Sequence, residues 1–166
     1  MVKHNVVRTD KMAGTQLDTH LFSARYYAND TLTEIDNGMA VVIGDLEVGE
    51  REIFKATTPA ANSPIAKVGL VASPEWIDDE RLQNLTDFTN YAGESLRVYL
   101  LHTGDMFGVT EGCFKNAKPE VGQVVELAAD TKWNNVKNAT ASSTVVGKII
   151  AKETVGSIVY YVIKVD

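Results

Sequence analysis

The densest gathering of reactive side chains lies in SPEWIDDERLQNLTDFTNYAGES, Ser73 to Ser95, where Glu75, Asp78, Asp79, Glu80, Asp87 and Glu94 stand near Trp76, Phe88 and Tyr91. Two carboxylates can cleave a glycosidic bond only when they converge across a cleft, and WIDDER offers a crowd of acids without a visible cleft. Carboxylates can also ligate a divalent cation. Neighbouring Asp78, Asp79 and Glu80 would point in different directions on a helix, however, and no Gly-bearing calcium loop turns them inward. His4, His20 and His102 are scattered and belong to no His-x3-His or Cys-x2-Cys pattern, so neither a metal nor a cofactor is expected. For nucleophilic catalysis the single cysteine, Cys113, has only His102 nearby in sequence, and nearness in sequence is not geometry. No Gly-x-Ser-x-Gly elbow and no Gly-rich phosphate loop occurs. These residues point away from an enzyme.

The same side chains are suited to holding a partner. Trp76 and Tyr91 bracket the acids and can act as anchors, because large amphipathic rings contribute much contact energy at small entropic cost. Asp78, Asp79, Glu80 and Arg81 would set orientation and association rate against a basic surface. Trp76 packed over the end of a barrel is an equally open reading. Phe22, Tyr26 and Tyr27 are conspicuous in a polar N-terminal region. They would either dock on the protein's own core or touch a partner. A sugar platform built from Trp76, Trp133, Asn134 and Asn135 is the alternative use of the aromatics.

The elements that must position these residues read as β. Residues 1–35 show no sustained period and are expected to form an irregular N-terminal arm, leaving a β-rich domain over 36–166 with an irregular acidic insert at 73–95. Asn37-Gly38 signals a turn before the apolar run Met39 to Ile43. Further short runs around Ile53 to Ala56 and Ile65 to Ala72 are separated by Gly49, Pro59, Pro64 and Pro74. Strands of this length without crossover helices predict a mostly β fold, α+β at most: a small antiparallel barrel or sandwich. Within the insert, Pro74 after Ser73 and the spacing of Leu82, Leu85 and Phe88 leave room for one short helix near 78–86. LRVYLLHTGDMFGVT reads as strand, turn, strand, and VGQVVELAAD as another strand. VVGKIIAKETVGSIVYYVIKVD reads as a hairpin whose last run is central. DTKWNNVKNATASST is expected to be a polar loop.

Composition sets the remaining bounds. The 166 residues suit one domain, alone or with an arm, and one cysteine permits no internal disulfide, as in an intracellular or assembly-bound protein. Cys113 is expected to be a buried small apolar residue. With 16 Lys+Arg against 22 Asp+Glu and a net charge of -6, the surface repels phosphate backbones, so nucleic acid is not the expected partner. MVKHNVVRTDKMAGTQ lacks the apolar core of a leader, and no run approaches a membrane span. A soluble chain, neither exported nor membrane-bound, is expected. The Asn-x-Thr matches at Asn29, Asn84 and Asn138 then carry no meaning for glycosylation.

The order NGMAVVIGDL…GEREIFKATTP, then PEWIDDERLQNLTDFTNYAGESLRVYLLHTGDMFGVTEGCF, then STVVGKIIAKETVGSIVYYVIKV, resembles the small head decoration (auxiliary or cement) proteins of tailed bacteriophages. The similarity runs from Asn37 to the end and centres on DERLQNLTDFTNYAGES and LHTGDMFGVT. It implies a structural protein on the outer surface of an assembled capsid, made in the bacterial host cytoplasm and reinforcing the shell against internal DNA pressure. The implied partner is the major capsid protein. Such proteins are frequently trimers and sometimes monomers, so the resemblance leaves a homo-oligomer, a trimer among the options, open. A virion-displayed carbohydrate- or host-surface-binding module, or a tail or neck component, is the alternative. The resemblance supplies no contact residues, so the candidates remain those named above.

Overall fold

The structure is a computed structural model and describes residues 3–79, 81–82 and 84–166. It is mostly β, with a small closed five-stranded barrel and a second sheet. The barrel is formed by β2 (Leu21–Ala28), β4 (Ala40–Leu46), β5 (Ile53–Thr57), β6 (Val68–Val71) and β7 (Leu96–Leu100), in the order β2-β5-β4-β6-β7, with β7 returning to β2. An odd number of strands cannot alternate direction all the way round. The closure therefore contains one parallel pair, β2 with β5, in which Ser23 lies opposite Ile53 and Tyr27 opposite Thr57. A two-residue strand, β3 (Thr31–Leu32), folds back on the end of β2.

The second sheet is antiparallel. It runs β1 (Val7–Lys11), β8 (Met106–Val109), β12 (Ile158–Val165), β11 (Val145–Val155), β9 (Val124–Glu126), β10 (Asn134–Val136). The expected final strand is indeed central, flanked by β8 and β11. Thr103-Gly104-Asp105 is a turn that carries the chain from the barrel into this sheet, and the buried Asp105 carboxylate fixes it. Asp105 accepts from His102 N at 2.8 Å and from Ala13 N at 2.7 Å.

Two apolar clusters follow from this arrangement. Ala24, Tyr26, Val41, Ala56, Val71, Leu96 and Val98 fill the barrel interior. Ala40, Val68, Leu70 and Tyr99 face outward from the barrel onto Phe107, Val109, Trp133, Ile149 and Ile163 of the second sheet and its loops. β6 is buried throughout because it lies between the two clusters, which explains its continuous apolar sequence.

Three expectations are corrected. The segment expected as an arm over 1–35 is built into both sheets: β1 is an edge strand against β8, and β2 closes the barrel. Its polar character reflects strands with only one buried face, as the burial of Ala24 and Tyr26 between more exposed neighbours shows. No α-helix forms near 78–86 among the described residues; a single 3-10 turn spans Leu85–Asp87. Leu85 is 46% exposed while Phe88 is buried, so the spaced apolar residues share no face. The expected loop DTKWNNVKNATASST contains β10. Its Trp133 is fully buried, with Nε1 donating to Gly38 O at 2.7 Å.

Candidate functional site

The insert between β6 and β7 is moored at both ends to one short stretch, Ile35-Asp36-Asn37. At the entrance, the buried Asn37 side chain donates to Ser73 O at 2.9 Å and accepts from Ser73 N at 3.0 Å. At the exit, Ile35 and Asn90 exchange backbone hydrogen bonds of 3.0 and 3.1 Å, and the Asn90 amide donates to both Ile35 O and Asn37 Oδ1. Asp36 completes the mooring. Its carboxylate accepts from Thr89 Oγ1 at 3.0 Å and from Asn5 N and Nδ2 at 2.9 and 3.0 Å, and lies 2.8 Å from His4 Nδ1. Among the described residues between these ends the only regular element is the 3-10 turn Leu85–Asp87, so these bonds, and not a helix or strand, fix the two ends.

That loop encloses a cleft of about 220 Å³. Trp76, Ile77, Leu82, Phe88 and Tyr91 supply its apolar lining, and Asp78, Asp79, Asp87 and Glu94 its carboxylates. Trp76 is 79% exposed and Tyr91 57%, so the two rings are displayed instead of being used in the core. Local turns hold the acids. Trp76 Nε1 donates to Asp78 Oδ1 at 2.8 Å; Asp79 accepts from Arg81 Nη2 at 2.7 Å and from Arg81 N at 3.0 Å. Asp87 caps its own turn through Asn84 N at 3.1 Å, and Glu94 accepts from Tyr91 N at 3.1 Å. The Arg81 guanidinium, and then its backbone N–H, hold the Asp79 carboxyl below the usual carboxylate range. These bonds hold the carboxylates in set local orientations, with Asp79 already paired to Arg81. They also explain the missing helix: an Asx-type turn at Asp79 and the Asp87 cap draw the backbone into separate turns.

Of the residues expected to make contacts, Trp76, Asp78, Asp79 and Tyr91 come together at this cleft, with Arg81 alongside through Asp79. Glu80 lies outside the described residues. Phe22, Tyr26 and Tyr27 do not join them. Phe22 packs edge-on against Phe54 at 5.0 Å on the barrel core, and the Tyr26 hydroxyl bonds Thr58 Oγ1 at 2.8 Å. Tyr27 is on the outer face, donating to Glu47, with Lys55 Nζ 5.5 Å from its ring centre. Hence the open choice for Phe22 and Tyr26 resolves in favour of the protein's own barrel. The sugar platform loses its second ring, since Trp133 is wholly buried and Asn135 is buried beside it. Leu82, Phe88 and Thr89 were not anticipated as cleft residues. They occupy the same segment as Trp76, and the mooring of Thr89 to Asp36 and of Asn90 to Ile35 and Asn37 fixes the end of the segment that carries Phe88 and Thr89 into the cleft.

The groups with catalytic potential elsewhere are placed differently. Cys113 is buried, its Sγ lies 3.8 Å from Asn37 O, and burial pushes its thiol up to about 12, far from a reactive thiolate. His20 and His102 meet edge to face at 5.3 Å, and His4 pairs with Asp36. Among the described residues no group of three or more His, Cys, Asp or Glu is placed to hold a metal ion, and no helix is long and apolar enough to cross a membrane. No family model, curated protein or solved structure matches the chain.

Proposed function

We propose that this chain is a non-enzymatic structural protein that binds the outer surface of a bacteriophage capsid and stabilises the shell, with the major capsid protein as its partner. The observation that carries the reading is the cleft. Two rings stand exposed over carboxylates whose geometry is already fixed, on a loop anchored to a rigid barrel. Such a surface suits a basic, partly apolar patch on another protein: exposed rings become anchors once desolvated, and fixed acids select the orientation. The resemblance of Asn37 onward to head decoration proteins supplies the identity of that partner.

Tyr26 is buried in the barrel core, Phe22 packs against it half-buried, and Tyr27 on the outer face is tied to Glu47, so the acidic cleft is the face assigned to contact. Stabilisation therefore rests on one face repeated over the shell. Each bound copy adds a modest term, and the lattice multiplies it. Co-sedimentation of the purified protein with expanded empty shells and with free capsid subunits tests the proposal. Saturable binding to shells that weakens with salt is expected, and so is a Asp78→Ala/Asp79→Ala variant that binds more weakly with a shallower salt dependence. Absence of binding to shells at micromolar protein overturns it.

A further inference from the structure

The turn on which the acidic loop is moored is also the chain's one Asn-Gly pair, Asn37-Gly38. In an unfolded chain such a pair loses ammonia of its own accord, because glycine has no Cβ to shield the backbone nitrogen that attacks the asparagine side chain. The fold requires both residues all the same. Gly38 has φ +86°, and a Cβ there would lie 2.7 Å from Cys113 Sγ. Asn37 donates to Ser73 O while accepting from Ser73 N and Asn90 Nδ2, which a side-chain amide can do and a carboxylate cannot. The same packing blocks the reaction. Gly38 N donates to Val71 O at 2.7 Å, Gly38 O accepts from Trp133 Nε1 at 2.7 Å, and both residues of the pair are buried, Asn37 completely. The attacking nitrogen is thus tied to one strand, its target is tied to Ser73, and burial keeps away the base that must take the proton.

We propose that Asn37 is a guarded deamidation site, closed while the acidic loop is moored and open to reaction whenever the mooring lets go. On release, the Gly38 nitrogen gives its proton to water or hydroxide and attacks Asn37 Cγ. The bond from Cγ to Nδ2 breaks, Nδ2 takes up a proton and leaves as ammonia, and a succinimide ring remains. Water then opens either carbonyl of the ring, leaving an aspartate or an isoaspartate at this position. Neither product can restore the mooring. A carboxylate cannot donate to Ser73 O, and it brings a charge into a site with no exposure. The isoaspartate also adds a methylene to the backbone between the Ser73 contacts and the Gly38 carbonyl that Trp133 binds. A transient opening is thereby converted into permanent loss of the cleft's anchor. The proposal uses the mooring alone and does not depend on what the cleft binds.

Wild type and Asn90→Ala are incubated under mildly alkaline conditions, folded and in urea, and each asparagine is followed by peptide mass spectrometry. Asn62, exposed and followed by Ser63, is the internal reference. In the folded wild type Asn37 is expected to react at least about a hundredfold more slowly than in urea, because the rate follows the open fraction. Asn90→Ala removes the donor to Asn37 Oδ1 and Ile35 O, and is expected to raise the folded-state rate at Asn37 about tenfold with Asn62 unchanged. The deamidated wild-type fraction, isolated by anion exchange, is expected to melt below the intact protein. Folded wild type that reacts at Asn37 as fast as in urea overturns the proposal. So does an Asn90→Ala protein that reacts at the wild-type rate, or a deamidated fraction that melts like the intact protein. If Asn90→Ala does not fold, Thr89→Val takes its place by removing the bond to Asp36, and the same outcomes decide.

Discussion

Asp36 joins three parts of the chain that are distant in sequence, and removing its carboxylate has a calculable consequence. Asp36→Ala takes the acceptor from Asn5 N, Asn5 Nδ2 and Thr89 Oγ1 and the partner from His4 Nδ1, four contacts of 2.8 to 3.0 Å. Hydrogen bonds to a charged group contribute roughly 1.5–3 kcal/mol each, but the side chain is 18% exposed and water replaces part of what is lost. A net loss of about 3 kcal/mol follows, which for a chain of this size lowers Tm by about 6–12 °C. Asp36→Asn keeps the shape and one acceptor oxygen and should cost about half as much. Calorimetry reads the global effect, and hydrogen exchange reads the local one. The His4 amide, which donates to Thr86 O at 2.7 Å, should lose protection before the barrel amides do. An Asp36→Ala protein that melts within about 1 °C of wild type and keeps its His4 protection refutes the mooring argument, because the carboxylate then holds nothing together.

Four further outcomes follow from particular contacts. A Cβ at Gly147 would lie 1.9 Å from Lys164 O across the β11–β12 pairing, so Gly147→Ala should destabilise by about 3 kcal/mol in urea unfolding. At Gly44 the nearest atom is an ordinary 3.4 Å away, and Gly44→Ala should be neutral or stabilise by about 0.5 kcal/mol. Cys113 should resist a thiol-specific reagent in the folded protein and react stoichiometrically in urea; rapid labelling of the native state would show that its burial is misjudged. The Tyr27 hydroxyl, and then Arg25, hold the Glu47 carboxyl below its ordinary range. Its contribution is therefore complete above the unfolded carboxylate pKa and is lost as pH falls through the folded value, so Glu47→Gln should flatten the acid limb of a stability–pH curve.

The strands from β4 onward, β10 excepted, were legible because each carries its own apolar run between turn residues, as Met39 to Ile43 and Ile158 to Val165 do. β1 and β2 were not. VRTDK and LFSARYYA expose one face, and their place is set by partners about 30 to 100 residues away, Ile53 to Thr57 and Met106 to Val109 among them. Trp133 hid in a polar stretch because its burial depends on Gly38 and Phe107, neither of them near it in sequence. The cleft was half legible. Trp76, Asp78, Asp79 and Tyr91 share one short segment, so their proximity follows from chain length alone. The mooring of that segment on Asn37 and Asp36 could not be read, since Asn37-Gly38 looks like any turn until Ser73 and Asn90 close on its amide. The helix expectation failed for a related reason: side-chain caps at Asp79 and Asp87 outweigh a weak apolar period.

We propose that this protein sits on the outside of a capsid shell with its acid-and-aromatic cleft toward the shell. An electron cryo-microscopy reconstruction of expanded shells incubated with the protein tests it directly. Added density is expected on the outer surface, fitted by the barrel and its second sheet, with Trp76 and Tyr91 facing the capsid. Shells without added density, or density in which the cleft faces solvent, would contradict it.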